Sequence, residues 1–280
     1  MSVHEHPLGI SFEFFPPNTE AGRDKLVMTR DALASRQPRF FSVTYGAGGS
    51  TQKRTLSTVR AVRDSGITTA PHLSCIGSEK DQLREVLTQY REDGIDSLVA
   101  LRGDLPSGMS GIGDLRYANE LVEFIRAETG DHFEIAVAAY PEAHPQAESF
   151  ERDLQNFARK VNAGANLAIT QYFFNADCYF HFVERARALG VEAPIVPGIM
   201  PITNYAKLAR FSDACGAEIP RWICKQLEAY GDDSASIAAF GEEVVSTLCQ
   251  RLLDGGAPGL HFYTLNQAEP TLKVVDNITG

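Results

Sequence analysis

Glu13 lies in the run SFEFF (11–15), a carboxylate set between phenylalanines in a stretch with the alternation of a β-strand. Side chains alternate across a strand, so Ser11 and Glu13 share one face and Phe12 and Phe14 the other. If the phenylalanines face a packed layer, Glu13 faces the opposite interior. Burial there disfavours the charged form and is expected to raise its pKa. Two readings follow: a general acid still protonated near neutral pH, or a structural carboxylate paired with a lysine or arginine. A second group is LRGDLP (101–106), where Arg102 and Asp104 have the same parity. A cation and an anion so placed suit a ligand carrying both a phosphate and an electron-deficient ring, and equally suit an internal salt bridge. YGAGGST (45–51) offers backbone amides to a phosphate at a helix start, a weak signal because such turns are common. In the stretch 148–164, Asp153, Asn156 and Lys160 fall along one helical face, which without other information is a solvated surface.

These residues need elements to place them. Runs rich in β-branched and aromatic residues occur at 10–15, 40–45, 68–75, 96–103, 134–140, 167–173, 193–199 and 259–265. Each is followed by helical periodicity, at 20–36, 51–65, 79–93, 114–129, 148–164, 176–190, 204–215 and from 268, while 218–255 leaves room for one or two extra helices. Glycines at 66, 94, 130, 164 and 190 end five of the helices, as left-handed C-caps do. The pattern predicts an α/β chain of eight β-α units, 1–280 as a single domain, with no Pro/Gly-rich linker inside it. An open doubly wound sheet would carry G-x-G-x-x-G after its first strand, and this chain reads FFPPNTE there. That favours a closed (β/α)8 TIM barrel, whose site lies at the C-terminal strand ends. Thr44, His72, Arg102 with Asp104, Tyr140, Gln171 and Tyr263 fall at those ends.

Composition narrows the partners. A formal net charge of −10 argues against nucleic acid or an anionic membrane. No apolar run approaches the ~20 residues of a membrane span, and the N-terminus lacks a leader pattern, so a cytoplasmic protein is expected. The five cysteines form no C-x-x-C pair, and His72, His144 and His261 lie on separate elements, so neither a disulfide framework nor a metal site is expected. No G-x-S-x-G elbow is present.

Taken in order, SFEFFPP (11–17), VTYGAGGS (43–50), APHLSC (70–75), ALRGD (100–104), AAYPEAHPQA (138–147), ITQYFF (169–174), PGIMPI (197–202) and HFYTLN (261–266) resemble the methylenetetrahydrofolate reductase family, over about residues 10–270. The resemblance implies a flavin enzyme: NADH or NADPH reduces FAD, departs, and is replaced by 5,10-methylenetetrahydrofolate, which leaves as 5-methyltetrahydrofolate. By the same likeness Glu13 matches the general acid and Asp104 the carboxylate beside flavin and substrate. Tyr45, Ala47, His72, Arg102, Gly103, Tyr117, Ala118, Tyr140, His144 and Ala147 match FAD contacts, as do Asp153, Asn156, Arg159 and Lys160 on the helix. Thr44 and Gln171 match positions touching nicotinamide or pterin, and Phe211 an aromatic that stacks on either.

Two positions depart from the bacterial pattern: Lys207 stands where a glutamine is usual and Gln267 where an arginine is, so the hold on the folate glutamate tail is expected to be rearranged. The resemblance also implies a homo-oligomer. The short stretch after the eighth strand leads us to expect no S-adenosylmethionine-responsive domain. Two other readings stand beside it: a proline-dehydrogenase-like flavin barrel, disfavoured by FEFFPP and LRGD, and a non-catalytic folate or flavin binder, disfavoured by the two carboxylates.

Overall fold

The computed structural model describes residues 9–45, 49–104 and 113–280. Eight strands, β1 (Ile10–Phe14), β2 (Phe40–Val43), β3 (Thr69–Ser74), β4 (Ser97–Leu101), β5 (Glu134–Ala139), β6 (Leu167–Tyr172), β7 (Ile195–Ile199) and β8 (Leu260–Tyr263), pair in sequence order and close into a barrel. Every pairing is parallel, including β1 with β8. This is the expected (β/α)8 barrel.

Helices α1 (Glu20–Ala34), α2 (Gly49–Arg63), α3 (Lys80–Glu92), α4 (Ala118–Thr129), α5 (Phe150–Asn162), α6 (Ala176–Ala188) and α7 (Tyr205–Cys215) follow the first seven strands. The reserve before β8 holds two more, α8 (Arg221–Tyr230) and α9 (Ser234–Asp254), and α10 (Ala268–Thr279) follows β8. No helix among the described residues is long and apolar enough to cross a membrane.

Strand alternation separates two layers. Outward residues such as Phe12, Phe14, Phe41 and Phe262 are fully buried under the helices, each adding about 1.5–3 kcal/mol of apolar burial. Inward, Phe40, Ala70, Val99, Ala136, Leu167, Ile169 and Val196 plug the barrel as a separate cluster. Above that plug the inward positions turn polar, and β1 carries Glu13 to this level.

Three expectations need adjusting. The five helix-ending glycines all take positive φ, but Gly130, with ψ −133°, is outside the left-handed helical region. The helix expected from 114 begins at Ala118, because Glu120 Oε2 accepts the backbone N–H of Arg116 (2.6 Å) and of Tyr117 (3.3 Å) and holds those residues in the cap. Finally, β4 stops at Leu101 rather than 103. Gly103 has φ +83°, and a Cβ there would fall 1.7 Å from Ser74 Oγ, which donates to the Arg102 carbonyl at 2.8 Å. The turn breaks the parity that put Arg102 and Asp104 on one face.

Candidate active site

Glu13 stands between its neighbours Ser42 on β2 and Tyr263 on β8, in register with both. Its Oε2 lies 3.2 Å from His72 Nε2 and 3.5 Å from His261 Nε2, and Ser42 Oγ donates to it at 3.4 Å. Both imidazole Nε2 atoms are buried without an aligned hydrogen bond, so their contact with the carboxylate is electrostatic. His261 is held from behind by Ser11 Oγ, 2.8 Å from its Nδ1, and its ring sits between Phe40 (5.7 Å, stacked) and Tyr263 (5.4 Å, edge-on).

The expectation of a raised Glu13 pKa is overturned. Burial, the largest single influence, pushes it up, but the charge of His72 and the polar contacts of both imidazoles together outweigh burial and bring the carboxyl down to about 2. The partner is a histidine pair, not the lysine or arginine a structural carboxylate would have used.

A cavity of about 620 Å³ opens above this cluster at the C-terminal mouth. Glu13, Thr44, Tyr45, His72, Gly103, Asp104, Tyr140, Gln171 and Phe211 all line it. Tyr263 closes one side, donating to the Thr170 carbonyl at 2.7 Å; burial and Glu13 keep its phenol protonated well above the usual range. This crossing requires Gly198, where a Cβ would come 2.1 Å from Thr170 O and 2.6 Å from the Tyr263 ring. Met200, Phe211 and Leu265 also border a second chamber of about 250 Å³, which Lys207, Arg210 and Gln267 line.

Beside the cavity, the segment after β5 is tied to α5. Ser149 caps that helix by accepting the Arg152 N–H, and Asp153 accepts the His144 N–H at 2.9 Å. Tyr140 meets the His144 ring edge-on at 4.6 Å, and burial raises its pKa to about 12. Burial and Arg102 lower that of His144. Lys160 Nζ donates to the Ala138 carbonyl at 2.5 Å; burial lowers its pKa to about 8, with Asp153 pulling the other way. Asn156 accepts from Arg159 at 3.0 Å. Arg102 bonds Gln146 Oε1 at 2.6 Å and the Gly103 carbonyl at 3.1 Å, so it faces this segment and not Asp104. Neither the shared face nor the internal Arg102–Asp104 salt bridge is found.

Ala147 is half-buried in the same segment. Tyr117 and Ala118 begin α4, apart from the cavity lining, with Tyr117 exposed and its carbonyl 3.7 Å from Cys75 Sγ. Ala47 lies outside the described residues.

Sequence reasoning missed Ser42 and His261 as partners of Glu13, and Ser11 as the group behind His261. A signal existed for two of them. In a closed barrel the first strand pairs with the last, and S-x-E on β1 then sets Ser11 beside His261 and Glu13 beside Tyr263.

A family model described as "Methylenetetrahydrofolate reductase" matches residues 2–279. The "5,10-methylenetetrahydrofolate reductase" of Escherichia coli (strain K12) is 42% identical over 268 residues, covering 95% of this chain and 89% of the relative. The rice (Oryza sativa subsp. japonica) "Probable methylenetetrahydrofolate reductase (NADH)" is 38% identical over 282 residues, covering 96% of this chain and 48% of the relative. Among solved structures, a chain titled "Uncharacterized protein from Clostridium thermocellum binds two copies of 5-methyl-5,6,7,8-tetrahydrofolic acid" superposes with a TM-score of 0.69 at 16% identity, covering 96% of this chain and 94% of that one, a likeness of fold.

Proposed function

The chain belongs to the methylenetetrahydrofolate reductase family, and from that premise we propose that it reduces 5,10-methylenetetrahydrofolate to 5-methyltetrahydrofolate with hydride passed from a nicotinamide through FAD. NADH, the donor in the rice relative's name, is the first to try. The observation that carries this reading is a half-buried carboxylate with two imidazoles at the floor of an aromatic-walled cavity in a barrel's C-terminal mouth.

The residues present fit a flavin. The cavity, about 620 Å³, has the size and mixed lining of a cofactor site. Lys160 is a half-buried cation whose pKa stays lowered despite Asp153, an imbalance that a phosphate would offset. Tyr45, His72, Gly103 and Tyr140 would border the ring system; Arg102, His144, Asp153, Asn156, Arg159 and Lys160 would hold the ribityl and phosphate end. Bound there, the flavin supplies a two-electron carrier that the side chains cannot.

The remaining work falls to this chain's own groups. Phe211 stacks on the flat substrate, with Thr44 and Gln171 orienting it. Glu13 transfers a proton to a nitrogen of the folate's five-membered ring, which opens to an N5-iminium cation. Asp104 stabilises that positive charge. Lys207 and Gln267 lie in the adjoining chamber, where the glutamate tail would extend.

Glu13→Gln keeps the shape of the side chain and removes the transferable proton. Reduction of the flavin by nicotinamide is expected to persist while the folate step falls by ~10²–10⁴-fold. Stopped-flow traces in which both half-reactions fall equally would make Glu13 structural and sink this reading.

A further inference from the structure

Turning an N–CH2–N bridge into N–CH3 adds a hydride to the carbon and a proton to the nitrogen it leaves, and a nicotinamide supplies only the hydride. One proton must therefore enter the site in each turnover. Glu13, on the reading above, hands it over, yet its carboxyl is an anion at neutral pH between two imidazoles. The proton passes through Glu13 without residing there.

The two histidines are unequal as its source. His261 is fully buried, and its Nδ1 is engaged by Ser11 Oγ at 2.8 Å. His72, on β3, lines the cavity, with Nε2 3.2 Å from Glu13 Oε2. We propose that His72 reloads Glu13 in each turnover, forming with it a two-station relay from cavity water to the substrate nitrogen, while His261 and Ser11 hold the carboxylate in place. The Nε2–H bond of the His72 imidazolium breaks, its electron pair staying on nitrogen, as O–H forms on Glu13. That O–H breaks as N–H forms on the substrate and the ring C–N bond opens. The neutral imidazole is left with hydrogen on Nδ1 and its free electron pair on Nε2; the ring turns about Cβ–Cγ, Nε2 takes a proton from hydronium in the cavity, water remains, and the ring turns back.

The surroundings isolate this pair. β2 faces Glu13 with the Ser42 hydroxyl, and β8 with His261 and Tyr263. Asp104, Tyr45, Tyr140, Tyr172 and Cys215 stand around the same cavity. Burial keeps the phenols of Tyr140, Tyr172 and Tyr263 protonated through the working range. His72 acts through Glu13, so it is a positioning and proton-supplying residue.

The test is single-turnover reoxidation of pre-reduced enzyme by methylenetetrahydrofolate, per bound flavin, across pH. The wild-type rate is expected to fall as pH rises, because each turnover draws a proton from solvent through the relay. His72→Gln should be slower by at least tenfold and lose that limb, and added imidazole should restore part of the rate to His72→Ala in proportion to its protonated fraction. A wild-type rate and pH profile in His72→Gln would overturn the relay. The relay rests on the proposed activity, and their failures separate: no reoxidation by the wild type defeats the activity, while normal reoxidation by His72→Gln defeats only the relay.

Discussion

Asp104 is exposed at the cavity mouth, and its charge should act in opposite senses on its two neighbours. A nearby carboxylate disfavours the extra negative charge of a reduced flavin, so Asp104→Asn should raise the flavin midpoint potential while slowing the folate step. A preorganised donor in a dry site is worth ~2.7–4 kcal/mol. Solvent at the mouth screens Asp104, so a loss of about tenfold, roughly 1.4 kcal/mol, is expected. A potential that stays put or falls in spectroelectrochemical titration would remove Asp104 from the flavin's side. Much at this scale was legible in the residues: parity alone turned Glu13 inward. The sign of its pKa shift was not, because His72 and His261 reach it across strands far apart in sequence. Likewise, nothing local to LRGD announced that Gly103 would turn Arg102 away from Asp104.

Helix α5 carries the clearest prediction at the level of an element. Its Lys160 ionises near 8 in the folded protein, against 10.5 for an ordinary lysine. With the folded pKa depressed, the folded state binds fewer protons than the unfolded state between these values. The group's contribution to stability is therefore full above about 10.5 and is lost as pH falls towards about 8. A phosphate beside Lys160 would reverse the shift, so FAD binding to apoprotein should take up a proton between these pH values. Calorimetry near the middle of that window, in buffers of different ionisation heat, measures it. Lys160→Met should abolish the uptake, and binding heats independent of buffer would place the phosphates elsewhere. The position of this helix was readable from its periodicity and from Gly164 at its end. Its inward face was not, since an Asp153–Asn156–Lys160 stripe looks like any solvated surface until Lys160 meets the Ala138 carbonyl and Asp153 the His144 amide.

At the level of the whole molecule, eight β-α units and two extra helices close one sheet around a polar floor. The repeating pattern made this architecture legible; closure of β8 on β1, which completes the Glu13 cluster, is a property of the finished barrel and of no segment alone. We propose that the chain is a single folding unit, for which calorimetry and circular dichroism should give one coincident unfolding transition; two separated transitions would divide it. The most direct test of the central claim is an anaerobic absorption spectrum of the purified protein. The account predicts flavin bands that bleach on adding NADH or NADPH and return, with 5-methyltetrahydrofolate formed, on adding 5,10-methylenetetrahydrofolate. A protein that retains no flavin when supplied with FAD, or whose reduced flavin is not reoxidised by that folate, would contradict it.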